Sequence, residues 1–476
     1  MLSRLRSFFN PPTPNPLRAP ARIFWVAFLV RVLYMTLAHT YRIRVSEDHF
    51  QFGWEAGRIA RALLTGYGFA DPFANAYLAH TGPTAWLPPL YPLLMAAVFR
   101  VFGVYTLASA WVLLAIQSVF SAATAVATWE IAARCFSRRV ALWSAWLWAL
   151  YPAAMQYAVR WPWEMTLTTA LFSFTLVLAL RMRNIGSSSA SLQPTTSNQQ
   201  PATSWLLFGL LWGLIALTNS TLLIFLPVCG LWILLPTLRN PGTPFMARSD
   251  MGGVGSHRES GPPPASLVGR MGGIKSALTG PLLAALLFLA CIAPWTIRNW
   301  QAFHAFIPLR GNLGAELYMG NGPGSNGLLM EYYHPFQSPE QLRLYASLGE
   351  VRYVAQRGAL ARAYIAAHPA HFAANVARRI YFFWIGVPHP SDEAWYNEAG
   401  RTLNFAFLSV AGLLGLALAL RRRIPAAGLF AWAFLLLPLP YYLITVHARF
   451  RHPIEPLICI LAVFLFQSAE RPRRPS

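Results

Sequence analysis

The stretch YTLASAWVLLAIQSVFSAATAVA, residues 105–127, decides the fold. Its 23 residues include no Asp, Glu, Lys or Arg. Coiled as a helix at 1.5 Å per residue it is about 34 Å long, enough to cover the roughly 30 Å of hydrocarbon in a bilayer. Nine further apolar runs surround it: Ile23–Ala38, Val140–Ala158, Glu164–Leu180, Trp205–Thr218, Thr221–Leu238, Leu278–Trp295, Thr402–Leu420, Ala426–Val446 and Pro453–Gln467. The pattern predicts an all-α membrane protein, a polytopic bundle of about ten transmembrane helices.

Composition excludes an ordinary soluble globule. Only 12% of residues are charged, 14% are aromatic, and 18 are tryptophan; mean hydropathy is +0.41. The net charge of +21 would suit nucleic acid, but its distribution gives another reason. Arg4, Arg6, Arg18 and Arg22 precede the first run, and Arg134, Arg138 and Arg139 follow the second. Arg181 and Arg183 follow the fourth, and Arg239, Arg248, Arg258, Arg270 and Lys275 follow the sixth. Arg421 to Arg423 follow the eighth, and Arg471, Arg473 and Arg474 close the chain. Alternating helices place all of these on one side, the positive-inside pattern. Both ends are therefore expected in the cytoplasm, the partners are membrane lipids, and no nucleic acid is implied. Of the 17 acids, all but Glu130, Asp250, Glu259 and Glu470 fall on the other side.

The organisation follows. A tail (1–22) leads into an N-terminal membrane region (23–184) holding a first outer loop (41–104). A cytoplasmic linker (185–204) precedes a helix pair (205–239), then a low-complexity cytoplasmic loop (240–276) and a further span (277–297). A second outer loop (298–401), the C-terminal helices (402–468) and a short tail (469–476) complete it. Both cytoplasmic connections are Ser-, Gly- or Pro-rich and too polar to order themselves. The four cysteines, Cys135, Cys229, Cys291 and Cys459, lie apart in apolar surroundings and read as small core residues. The first run has no small-residue cleavage site after it, so it is expected to act as an uncleaved anchor.

The outer loops are patterned. Phe52, Glu55, Ile59 and Leu63 have helical spacing with Arg58 and Arg61 on the polar side, and Gly66-Tyr67-Gly68 closes that helix. Leu93–Phe102 is too short to span and carries Arg100, so it reads as interfacial. In the second loop a helical stretch covers Pro339–His368, and the aromatic-basic segment His371–Gly386 suits the headgroup level. The turn Gly320-Asn321-Gly322-Pro323-Gly324 lacks the strand-then-helix context of a nucleotide cradle.

Ionisable groups at a lipid boundary are costly unless they serve a pathway or a ligand. Three sets stand at outer helix ends: Glu47-Asp48 with Glu55; Arg160-Trp161-Pro162-Trp163-Glu164; and His447-Ala448-Arg449-Phe450-Arg451-His452-Pro453, echoed by Arg298-Asn299. Carboxylates there can take a proton from an acceptor hydroxyl. Arginine forks can hold a phosphodiester and steady a departing phosphate. Equally, Glu47, Asp48 and Glu164 could merely cap the helices that follow them, and Arg449 and Arg451 could be interfacial anchors. His334, His368, His371 and His389 read as turn or surface residues.

The phrases TGPTAWLPPLYPLL (81–94), RWPWEM (160–165), APWTIRNWQAFHAFIPLRGNLGAELY (293–318) and RFRHPIEPL (449–457), in this order and on this side, resemble the GT-C glycosyltransferases. They are most similar to the bacterial members akin to protein O-mannosyltransferases and to the aminoarabinose transferase of lipid A. The resemblance covers most of the chain outside the two cytoplasmic connections. It implies an inverting transferase in a bacterial inner membrane. Its active face would be periplasmic, its donor a polyprenyl-phosphate sugar and its acceptor a glycan, lipid or protein. Asp48 or Glu47 would match the family's first-loop acid, with Glu55 a competitor in the segment FGWEAGRIA, and Glu164 its second acid. Arg298, Arg449 and Arg451 would face the lipid phosphate, joined as substrate-binding candidates by His452 and Arg58. No cofactor is implied and no ligand cluster argues for a metal. A transporter or flippase without covalent chemistry, and a lipid-linked oligosaccharide ligase, are the alternative readings.

Overall fold

A computed structural model describes residues 18–42, 52–75, 77–186, 201–239, 267–328, 330–388 and 395–469. Glu47, Asp48, His389 and most of the two connections 185–204 and 240–276 lie outside the described residues. The architecture is helical, and among the described residues the only β-pairing is an isolated bridge between Ala70 and Pro83.

Among the described residues, six helices are long and apolar enough to cross a membrane: Ala19–Leu37, Leu107–Cys135, Met165–Met182, Leu278–Phe303, Glu398–Arg421 and Ala448–Ser468. The other four runs form shorter pieces, so the expected ten reduces to six long helices plus interrupted ones. The first helix, α1, is Arg18–Leu37. In the outer loop, α2 is Glu55–Leu64 and α3 is Leu90–Phe102; at 13 residues, α3 is short, as its sequence predicts. Next come α4 (Leu107–Cys135), α5 (Arg138–Leu150), α6 (Pro152–Val159) and α7 (Met165–Met182).

The run Val140–Ala158 breaks because Pro152 has no N–H to donate and opens a new helix at its first position. The carbonyls this releases are met by Arg31, buried in the middle of α1. Its guanidinium donates to Ala149 O at 2.8 Å, Trp148 O at 3.3 Å and Ser121 Oγ at 3.1 Å. A charge in the apolar bundle is thus explained by orphaned backbone acceptors.

The middle of the chain forms α8 (Ala202–Ala216), a 3₁₀ turn at Ser220–Phe225, α9 (Leu226–Arg239) and α10 (Leu267–Phe303). The α10 helix begins inside the segment expected to be a low-complexity loop and continues past Trp295 into the expected outer loop. Backbones approach closely where small residues meet: Gly209 and Gly213 of α8 lie against Ala284 and Cys291 of α10. That is how helices pack without a hydrophobic drive between them. All four cysteines are free thiols.

The second outer loop holds α11 (Leu313–Asn321), α12 (Pro339–Leu348), α13 (Glu350–Ala367) and α14 (Pro369–Ile385). The expected stretch 339–368 is split at Gly349, whose φ of 73° ends one helix and starts the next. The chain closes with α15 (Trp395–Arg421), α16 (Ala427–Leu436), α17 (Leu439–Leu443), a 3₁₀ turn at Ala448–Ile454 and α18 (Glu455–Ser468). Small residues recur where Gly412 and Gly415 face Ile458 and Leu461.

The helix ends that the basic pattern assigns to one side do meet at one end of the bundle. Glu130 accepts from Arg134 at 2.8 Å and from Arg181 at 3.0 Å, and Arg422 donates to Ser468 at 3.0 Å. The two outer loops lock together at the other end. Glu350 accepts from Thr84 Oγ at 2.5 Å, Ala85 N at 2.7 Å and the Tyr345 hydroxyl at 2.7 Å.

Candidate active site

A cavity of about 1370 Å³ opens at this loop-bearing end of the bundle. Its wall is built from both outer loops and from several outer helix ends. It includes Glu55, Arg160, Trp161, Trp163, Glu164, Arg310, Glu316, His334, Tyr441, His447 and Arg449. Three carboxylates and several cations, remote in the chain, therefore share one hollow.

The Glu55 side is placed by glycine. Gly53 has φ 76° and Trp54 φ 52°, and a Cβ on Gly53 would overlap the carbonyl oxygen of Pro162. The first outer loop thus rests directly on the RWPWE turn, which only glycine permits here. Glu55 opens α2 and meets His334 Nε2 at 3.1 Å. Burial tends to raise its carboxyl, but the hydrogen bond from His334, with the Arg58 charge behind it, outweighs this and holds it below the usual carboxylate range.

The Glu164 side is placed by Gln117, buried in α4. Its Nε2 donates to the carbonyls of Tyr157 at 3.1 Å and of Trp161 and Trp163 at 2.9 Å each. Glu164 occupies the N-cap position of α7, next to the positive end of the helix dipole, and makes no side-chain capping bond. The Trp161 and Trp163 rings stack at 5.0 Å and 12°. The Arg449 guanidinium lies over Trp163 at 4.3 Å and Phe450 at 5.3 Å, and its buried Nε has no hydrogen-bond partner among the described residues. His447 Nδ1 accepts the Arg449 backbone N–H at 3.3 Å.

The third acid, Glu316, was not singled out by the sequence. Arg310 and Asn312 each donate to its Oε1 at 3.0 Å, and Arg310 also donates to Trp86 O at 2.9 Å. The floor is polar too: Thr221 Oγ lies 2.7 Å from the Tyr441 hydroxyl.

Other sequence candidates lie outside this wall. Arg298 donates to Thr84 O at 2.7 Å and Phe69 O at 2.5 Å, tying α10 to the first outer loop. Arg451 and His452 are fully buried with Glu455: Arg451 Nη2 is 3.2 Å, and His452 Nδ1 2.8 Å, from its carboxylate. The His452 ring sits behind Tyr157, a cavity residue, at 4.8 Å. Arg58 is buried, donating to Ala74 O at 3.1 Å and stacking on Phe336 at 3.9 Å. Each therefore builds the frame around the hollow. Among the described residues, no group of three or more His, Cys, Asp or Glu is arranged to hold a metal ion.

The fold is shared with solved structures of an archaeal oligosaccharyltransferase. In particular, it is similar to the crystal structure of the Archaeoglobus fulgidus oligosaccharyltransferase in the apo form. Identity is 14%, the TM-score is 0.52, and the match covers 94% of this chain and 50% of that one. A structure of the archaeal oligosaccharyltransferase AglB from Archaeoglobus fulgidus, in complex with an inhibitory peptide and a dolichol-phosphate, also matches. There identity is 12% and the TM-score 0.42, over 94% of this chain and 50% of that one. The chain thus spans about half the length of these structures. No family model and no curated protein matches it.

Proposed function

We propose that the protein is a multi-pass membrane glycosyltransferase of a bacterial inner membrane that moves a sugar from a polyprenyl phosphate to a periplasmic acceptor with inversion. The observation that carries this reading is the convergence of Glu55, Glu164, Glu316 and Arg449 on one cavity at the loop-bearing end of the bundle.

The donor's tail lies in the bilayer and its phosphate meets Arg449, whose guanidinium is held flat by Trp163 and Phe450. A carboxylate takes the proton from an acceptor hydroxyl. The freed oxygen attacks the anomeric carbon from the face opposite the phosphate. The anomeric C–O bond to phosphate then breaks, and its electron pair leaves on the polyprenyl phosphate. Glu55 is the base among the described residues; Asp48 and Glu47 are assigned the same role from sequence, and Glu164 orients donor or acceptor.

The test is transfer of radiolabelled sugar from synthetic polyprenyl-phosphate hexoses and pentoses to envelope extracts, by the purified full chain in nanodiscs. Glu55→Gln, Glu164→Gln, Asp48→Asn and Glu47→Gln are assayed singly, and the two first-loop neighbours also as a double variant. Full activity in all of them rejects the carboxylate mechanism. A second reading has one observation in its favour: about 1370 Å³ exceeds the roughly 300–1,000 Å³ that suffices for small ligands. A lipid-linked oligosaccharide would use that room. Transfer from oligosaccharide donors but from no single-sugar donor would select it.

A further inference from the structure

Glu55 and His334 come from different outer loops, and their pairing has a defined sense. His334 Nδ1 accepts the backbone N–H of Phe336 at 3.2 Å. In the neutral ring the proton must then sit on Nε2, the nitrogen 3.1 Å from Glu55 Oε1. The ring cannot swing away: Phe73, Trp54 and Trp86 surround it at 5.3, 6.1 and 6.2 Å, and it is 7% exposed. Both members line the cavity.

We propose that His334 is a positioning residue for Glu55: its Nε2–H fixes one carboxylate oxygen and holds the group toward the acceptor side of the cavity in its ionised, proton-accepting form. This rests on the transferase reading above. A hydrogen bond donated to the charged form favours that form. Arg58 on its own helix also acts on Glu55, and the shared wall further carries Arg160, Glu164, Arg310, Glu316, Arg401, His447 and Arg449. Of these, Arg58 acts with His334. Losing the imidazole donor therefore moves Glu55 protonation toward higher pH. The sequence had assigned His334 to a turn, because nothing local connects it to Glu55.

The experiment compares His334→Gln, whose amide N–H reaches the Nε2 position, with His334→Asn, whose shorter amide does not. Two readouts are used on the full chain in nanodiscs. The first is the infrared carboxylic acid band that Glu55→Gln abolishes, followed against pH without any substrate. The second is the pH profile of transfer from synthetic polyprenyl-phosphate mannose. We expect His334→Asn to shift the Glu55 band and the acid limb of kcat to higher pH. It should also lower kcat about ten- to a hundredfold with little change in KM, while His334→Gln restores both. An unshifted Glu55 band in a folded His334→Asn protein overturns the pairing. A shifted band with an unchanged acid limb overturns the positioning role. Absence of transfer by the wild type from every donor tried overturns the transferase reading instead, and the band titration still decides the pairing.

Discussion

Gly53 lies against the carbonyl of Pro162, so the helix that begins at Glu55 is seated on the turn that ends at Glu164. Two acids that the sequence places on separate outer segments are thereby held on one wall. The contact needs both the absent side chain and the positive φ of 76°. Gly53→Ala should therefore push the first loop off the turn, at a cost of about 1–3 kcal/mol for the strained backbone alone. The expected outcome is a lowered thermal midpoint together with a loss of sugar transfer larger than the stability change explains. Wild-type values for both would remove this contact from the account of the site.

Gln117 makes the complementary claim from inside the membrane. Its amide serves the carbonyls of Tyr157, Trp161 and Trp163, of which Trp161 O also accepts the Trp163 backbone N–H at 2.8 Å. Gln117→Leu removes all three of these bonds, at about 1–3 kcal/mol for each carbonyl left with no other donor and out of reach of water. The turn should loosen, which limited proteolysis or hydrogen exchange of residues 157–164 would detect. Unchanged protection there would mean that the turn holds itself.

How much of this was legible beforehand follows from the kind of signal. Apolar runs such as 105–127 report their own burial, and the sidedness of Arg134, Arg139 and Arg181 reports which ends meet. Glu55, Glu164 and Arg449 were visible because a charge at a helix end in lipid calls for a reason. Gln117 and Arg31 were invisible for the converse reason: each is one polar residue within an apolar run, and its partners are carbonyls freed by a distant proline or turn. Glu316 sits on the short α11 and His334 in an irregular part of the second outer loop, so only the tertiary fold shows what they face. Arg298, Arg451 and His452 carry the right chemistry at the right depth. Sequence does not reveal that Arg298 donates to Thr84 O and Phe69 O, or that Arg451 and His452 Nδ1 turn to Glu455.

Glu350 gives a pH test of the joint between the outer loops. Burial raises its carboxyl above the usual 4.5, although Thr84, Ala85, Tyr345 and the charge of Arg298 pull the other way. A group whose pKa is raised on folding contributes stability that is fully present below the unfolded value and is lost as pH rises through the folded one. Wild-type thermal stability should therefore fall as pH rises upward from about 4.5. Glu350→Gln, which keeps an acceptor but cannot ionise, should flatten that part of the curve. An equal slope in the two proteins would place the pH dependence elsewhere.

The arginines separate binding from framework. Arg449 is stacked: its guanidinium covers Trp163 and Phe450, and its Nε is unbonded among the described residues. A planar cation held flat can take a phosphate with two parallel N–H donors, which lysine cannot imitate. Arg451 is the opposite case. It is wholly buried, bonded to Glu455 and stacked on Phe405 at 3.1 Å. Removing it leaves the buried Glu455 carboxylate with His452 as its remaining partner, at a cost of up to about 3–5 kcal/mol. Arg449→Lys should thus weaken binding of a short-chain polyprenyl phosphate, measured by native mass spectrometry, by about ten- to a hundredfold, with the thermal midpoint little changed. Arg451→Ala should lower the midpoint or abolish recovery of folded protein. In any fraction that folds, affinity for the same probe should stay near wild type, because Arg451 never meets the cavity. Reversal of these two patterns would move the phosphate site from the Trp163 wall into the Glu455 cluster.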